Sequence, residues 1–246
     1  MDVKIKKRGI YGYALGSLYE AGTYAFINSF LLLFLTTVVK LDSTIAGTIV
    51  SVSMVSEAVA ATAFGRLSDC HTGPNGRRRP FIYKAGLALC VCFVLTFTTI
   101  NVPTGLKIVY YLVFGAAIKA LYSASFTPHA ALGAEITSDY DERTKIRSYC
   151  RLFSAVGNTV GYVLPLIVIE FMMDKGMAQS RAWSLFAAAL AVFYAIPLYF
   201  CWKYTEPFDN GSIKHRTPDG KFMEVFKSYF ELIKLKPMSA FLLMKV

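Results

Sequence analysis

The chain has 246 residues, 55% of them apolar and only 17% charged, with a mean hydropathy of +0.46, whereas soluble domains carry about 25% charged residues. Long apolar runs alternate with short charged segments, which excludes a disordered chain, a disulfide-stapled secreted scaffold and a coiled coil and points to an integral membrane protein. A formal net charge of +10 would suggest nucleic acid in a soluble protein; in a membrane protein it is read through the loops that hold it, and no nucleic-acid partner is expected.

A helix crosses the hydrocarbon core in about 20 apolar residues, and six stretches qualify: 11–39, 44–66, 80–101, 107–129, 149–171 and 182–202. The first is too long for a signal peptide, and no small-x-small cleavage site follows Val39. No long stretch alternates with period two, so a transmembrane barrel is not expected. The sixth span runs from Trp183 to Trp202. That is roughly 28 Å of helix, and it predicts a tryptophan in each interfacial belt. Beyond it, residues 204–237 read as a cytoplasmic loop. Within that loop, 221–236 sets Phe222, Phe226 and Phe230 on one stripe and Lys221, Lys227 and Lys234 on the other. This is the pattern of an interfacial helix or of one capping the bundle. Residues 238–246 read as the start of a seventh span that stops short, so a fragment or truncated reading frame is expected. Residues 1–203 then form an all-α integral membrane unit, a six-transmembrane-helix bundle.

Basic residues orient it. Lys4, Lys6, Lys7 and Arg8, then Arg77, Arg78 and Arg79, then Arg143, Lys145 and Arg147 lie on one side, with Lys203 and the lysines of the tail. The other side holds Lys40, Lys107, Lys175 and Arg181. The positive-inside rule makes both termini cytoplasmic. The five cysteines show no metal-binding spacing, and no zinc-protease, phosphate-loop or nucleophile-elbow motif occurs. No cofactor and no enzymatic chemistry are therefore expected.

Charges inside spans carry the most information, since each costs about 2.5–3.5 kcal/mol or more. Glu20, Glu57 and Lys119 qualify. Measured from the cytoplasmic ends of their apolar runs, near Tyr11, Arg66 and His129, they lie about 13, 13 and 15 Å deep, in one plane. A Lys119–glutamate pair would be structural and would leave the second glutamate alone. A lone buried carboxylate should take up a proton or a cation, the elementary step of an ion-coupled transporter. Tyr19, Tyr24, Asn28, Tyr122, Ser123, Ser154 and Asn158 supply further polar or aromatic material on the same spans.

Two cytoplasmic stretches carry a family resemblance. Gly65-Arg-Leu-Ser-Asp69 with Gly76-Arg-Arg-Arg-Pro80-Phe-Ile resembles the loop between helices two and three of the major facilitator superfamily. Residues 128–151, PHAALGAEITSDYDERTKIRSYCR, resemble the signature of its glycoside–pentoside–hexuronide:cation symporters, the melibiose-permease-like group. The resemblance covers residues 11 to about 205 and implies the N-terminal half of a facilitator fold. It implies that Glu57 and Ser123 bind the coupling cation, with Ala61 where the group has a second acid. It further implies that Glu20, Lys119, Tyr122 and Arg151 face a sugar, with Phe126 where the group has a sugar-binding acid. The loss of the acid at Ala61 favours a proton over sodium at a solitary Glu57. His129 stands where the group has Tyr, at the cytoplasmic end, and no role is expected for it. The implied function is cation-coupled (proton or sodium) uptake of a sugar or sugar acid across a cell membrane, with a C-terminal six-helix half as partner. A truncated non-transporting protein or assembly partner, and a lysolipid carrier of the wider family, remain open.

Overall fold

A computed structural model of the chain describes residues 7–71, 73, 76–137 and 139–209. The helix expected at 221–236 and the seventh-span start at 238–246 lie outside the described residues. Among the described residues there are six helical passages long and apolar enough to cross a membrane. The helices are α1 (Lys7–Leu33), α2 (Ser43–Cys70), α3 (Arg79–Thr96), α4 (Thr104–Glu135), α5 (Tyr140–Tyr162), α6 (Leu164–Asp174) and α7 (Gln179–Tyr204). No strand occurs among them. The protein is an all-α, multi-pass membrane bundle.

Each expected span has its helix, and the differences lie at the ends and in the fifth passage. Apolar runs mark the part of a helix that meets hydrocarbon, and helices run beyond it. Thus α2 continues past residue 66 to Cys70 and α4 past residue 129 to Glu135, whereas α3 stops at Thr96, short of residue 101. The fifth passage is two helices, α5 and α6, because Pro165 near the start of α6 has no N–H to continue the ladder. A π-helical turn, Phe34–Val38, extends α1, and the chain leaves it through Lys40 at φ 61°, a left-handed C-terminal stop. Asp42 then caps α2, its carboxylate accepting the Thr44 N–H at 2.8 Å. That bond holds the Asp42 carboxyl below the ordinary aspartate value.

Small residues set the packing. On α5, a Cβ at Gly157 would run into the Leu18 backbone carbonyl of α1, and one at Gly161 into that of Gly22. The two backbones therefore touch, the close approach that membrane helices use in place of a hydrophobic driving force. These contacts keep a constant register, so α1 and α5 run parallel. α2 and α4 also run parallel: Ser53 faces Gly115, Ser56 Oγ donates to the Ala116 carbonyl at 2.8 Å, and Glu57 faces Lys119. α7 packs antiparallel to both α1 and α3, with Gly16 against Cys201 and Gly86 against Leu198. α3 packs on α4, where Thr96 Oγ1 meets the Phe114 carbonyl at 3.5 Å. The pairings map onto themselves when passages one, two and three are exchanged for four, five and six.

Trp183 departs from the expected belt position. It is buried among Phe26, Phe30, Phe34 and Phe97 in the aromatic core between α1, α3 and α7. Trp202 at the other end stacks on Tyr83 at 5.0 Å and takes the Arg79 guanidinium over its ring. Around it the basic end is tied together. Asp209 Oδ2 accepts the backbone N–H groups of Arg78 and Arg79 at 2.8 Å each, at the start of α3. Arg78 bridges Asp69 and Glu135, and Arg77 also reaches Glu135. Gly76, at φ 93°, lets the loop turn where any side chain would meet Asp209. The loop motif read in the sequence is thus a charge lattice joining α2, α3 and α4.

Candidate substrate and ion site

Six candidate residues were marked by the sequence, and the structure distributes them over three places. The first is the α1–α2–α4 contact. Ser56, bonded at once to the Ser53 and Ala116 carbonyls, brings α2 against α4. One residue on, Glu57 Oε2 lies 2.9 Å from Lys119 Nζ. Nζ also donates to Asn28 Oδ1 at 2.7 Å, and the Asn28 amide is oriented by its own bond to the Tyr24 carbonyl at 2.9 Å. The ammonium sits 4.9 Å from the Tyr24 ring centre, a cation–π contact. Tyr24 leans on Tyr122 at 5.0 Å, and Tyr122 stacks on Phe126 at 5.6 Å. Lys119 is 2% exposed in its side chain but Glu57 is 24% exposed, and Tyr24, Asn28 and Phe126 are exposed. A charged, aromatic-walled cluster therefore opens at a face of the bundle.

Glu57 is not solitary, as the loss of an acid at Ala61 had suggested. Lys119 supplies its counter-charge. The α2–α4 register sets Ser123 level with Ala61, one turn, or about 6 Å, towards the basic end. Ser123 is buried, and among the described residues no hydrogen bond joins it to Glu57.

Glu20 lies elsewhere. Its Oε2 is 2.9 Å from His129 Nδ1, and the ring's Nε2 is 3.1 Å from the Tyr13 carbonyl. Tyr13 stacks on the imidazole at 4.3 Å and donates its hydroxyl to the His129 carbonyl at 3.3 Å. Glu20 and His129 are both buried, at 5% and 2% exposure. The shared plane expected for Glu20, Glu57 and Lys119 is thus not observed. Glu20 is eight residues along α1 from Asn28, or about 12 Å towards the basic end. The apolar runs end α2 at Arg66 and α4 at His129, yet the helices continue to Cys70 and Glu135, and α4 carries His129 inside the bundle. His129, assigned no role in the sequence, is the partner of the second acid. A histidine set in the apolar run Phe126-Thr-Pro-His-Ala-Ala-Leu132 was the available signal.

Arg151 occupies the third place. It is exposed on α5 in a shallow groove lined by Tyr140, Arg143, Thr144, Arg147 and Ser148. The α1–α5 register sets it level with Gly12, sixteen residues or about 24 Å along the axis from Asn28. It does not join the Lys119 cluster.

Residues 12–245 match the family described as MFS/sugar transport protein. The chain belongs to that family. It is 26% identical to an uncharacterized symporter of Bacillus subtilis (strain 168) over 89% of this chain and 47% of the relative. It is 25% identical to the isoprimeverose transporter of Lactiplantibacillus pentosus, over 77% of this chain and 40% of that protein. It is 29% identical to a putative glycoside/cation symporter of Escherichia coli (strain K12), over 79% and 42%. The chain spans less than half the length of these curated relatives. In this facilitator family each six-helix half is built from two inverted three-helix repeats, which accounts for the exchange symmetry of the pairings above.

Proposed function

We propose that these residues form the N-terminal half of a cation-coupled secondary transporter of a sugar or sugar acid, with a C-terminal six-helix half completing the cavity. It would lie in a cell membrane with both termini cytoplasmic. The observation that carries the reading is the Lys119–Glu57–Asn28 cluster opening between aromatic rings at a bundle face. Sugar hydroxyls both donate and accept, so a carboxylate, an ammonium and an amide side by side match them. Tyr24 and Phe126, both exposed, offer ring faces to the sugar's C–H surface, with Tyr122 buried between them. The pair neutralises both charges when the site is empty, which limits the cost of holding them in a bilayer. The Lys119 ammonium lies 2.9 Å from the Glu57 carboxylate, and this supports Glu57 as a substrate-facing group. The same ammonium would attract the carboxylate of a sugar acid. The chemistry is binding and alternating access, with no bond made or broken.

Ligand-observed NMR on the chain in nanodiscs, with a panel of pentosides, hexosides and hexuronides, tests the reading. At least one sugar class should show contact, and Lys119→Met and Tyr24→Ala should each weaken it tenfold or more. A folded chain that contacts no sugar, or binds one equally well in both variants, would remove this face as a sugar site.

A further inference from the structure

We infer that Glu20 and His129 form a proton-binding site, one proton shared between α1 and α4, and that this pair carries the coupling proton of the transporter proposed above. The hydrogen-bond partners of the pair require the extra proton. His129 Nε2 faces the Tyr13 carbonyl at 3.1 Å, and a carbonyl only accepts, so Nε2 carries a hydrogen. Nδ1 faces Glu20 Oε2 at 2.9 Å. An ionised carboxylate also only accepts, so either Nδ1 carries a second hydrogen or Glu20 holds it and donates. In both cases the pair holds one proton more than a neutral imidazole beside a carboxylate. Without that proton two lone pairs oppose each other, and a net negative charge is left in a site with 5% and 2% exposure. No tautomer of the neutral ring satisfies both sides.

Among the described residues the surroundings supply no other counter-charge. The remaining titratable groups facing the pair are Tyr13 and Tyr19 on α1, Tyr122 on α4, Cys150 on α5 and Cys201 on α7, none of them basic. The Cys201 thiol approaches the ring from α7, but it is a weak donor competing with a carbonyl already in place. The seat is also cut to the imidazole: a Cβ at Gly16 would lie 2.5 Å from Nε2 and 2.8 Å from Cys201 Sγ. Binding one proton thus links α1 to α4, one of several contacts between the two three-helix repeats beside the closer α1–α5 and α2–α4 packing. Releasing it makes the two side chains repel and frees that contact to open. The proton is bound and returned unchanged, and no bond other than N–H or O–H is involved.

This inference rests on the transport reading only for the word "coupling", and the test separates the two. The full chain, ring-labelled with 15N-histidine, has three histidines, His71, His129 and His215. His71→Gln and His215→Gln variants assign the spectrum. In nanodiscs at about pH 7, His129 should show both ring nitrogens protonated, or else a protonated-carboxyl infrared band should vanish in Glu20→Gln. In Glu20→Gln the side-chain amide can donate to Nδ1, so the extra proton is no longer required and the ring should become neutral. A neutral wild-type ring beside an ionised Glu20 would overturn the site, as would a ring in Glu20→Gln that stays doubly protonated. The wild-type measurement stands even if the variant fails to fold. No sugar is present, so failure here leaves the sugar reading intact, and failure of sugar binding leaves this result intact.

Discussion

The Lys119–Glu57 pair permits a graded expectation, because its two ends are buried differently. Removing one partner of a buried ion pair costs about 3–5 kcal/mol, chiefly by leaving the other charge uncompensated. Glu57→Gln leaves the ammonium, at 2% side-chain exposure, with no counter-charge but with Asn28 Oδ1 at 2.7 Å and the Tyr24 face at 4.9 Å. Those two contacts persist and keep the ammonium partly compensated, so the loss should fall at the low end, about 2–3 kcal/mol. Lys119→Met leaves a carboxylate that is 24% exposed and so less enclosed by the bundle; its loss should be smaller, about 1–2 kcal/mol. The double variant buries no lone charge and should recover most of the stability, giving a coupling energy of about 1–3 kcal/mol, the range for residues in contact. Equilibrium unfolding in mixed micelles, followed by tryptophan fluorescence and circular dichroism, measures all four corners. Lys119→Met costing more than Glu57→Gln would refute the burial argument. Strictly additive losses would show that the two charges do not depend on each other.

Other expectations follow from single contacts. Gly157→Ala places a methyl group against the Leu18 carbonyl of α1, so it should destabilise the bundle by about 1–3 kcal/mol in the same unfolding assay; unchanged stability would show that α1 and α5 are not in backbone contact. Asp209→Ala removes the acceptor of two backbone N–H groups at the start of α3, and should cost about 1–2 kcal/mol and speed hydrogen exchange at Arg78 and Arg79, with Asp209→Asn falling between. Cysteine-accessibility mapping in intact cells should find residue 1 and residue 215 shielded from an impermeant reagent while Lys40→Cys and Lys107→Cys react. Labelling of either terminus from outside would invert the topology.

Much of the fold was legible because hydropathy and helix length are one-dimensional signals. Six apolar runs became six passages, and the basic loops fell at one end. Helix ends were less legible. α4 stays helical past Pro128, which omits one ladder bond, and on to Glu135, so the drop in hydropathy near His129 marked neither the end of the helix nor the end of burial. That boundary, with the continuation of α2 past Arg66 to Cys70, took Glu20 out of the shared plane and hid its partner. The division of the fifth passage was written in Pro165, but a proline in an apolar run reads as tolerable until its neighbours are known. Trp183 shows the same limit from the other side: a terminal tryptophan predicts an interface, and only the packing of Phe26, Phe30, Phe34 and Phe97 around it makes it core.

The two acids then acquire different work from geometry alone. Glu57 is joined to α4 by a charge that cannot leave, the ammonium of Lys119, whereas Glu20 is joined to α4 by a proton that can. Both links cross between the first and second three-helix repeats, and α1 and α4 occupy equivalent places in those repeats. A ligand that competes for Lys119, Glu57 and Asn28 loosens one link at the exposed face. Proton release from the Glu20–His129 pair loosens the other, about 12 Å nearer the basic end. If both links must open for the repeats to shift, substrate and proton act on one movement without touching each other. That is a coupling free energy between two sites in the linkage sense. It requires reciprocity: sugar bound at the Lys119 cluster should change the pH at which His129 loses its proton, and the protonation state of His129 should change sugar affinity by the same factor.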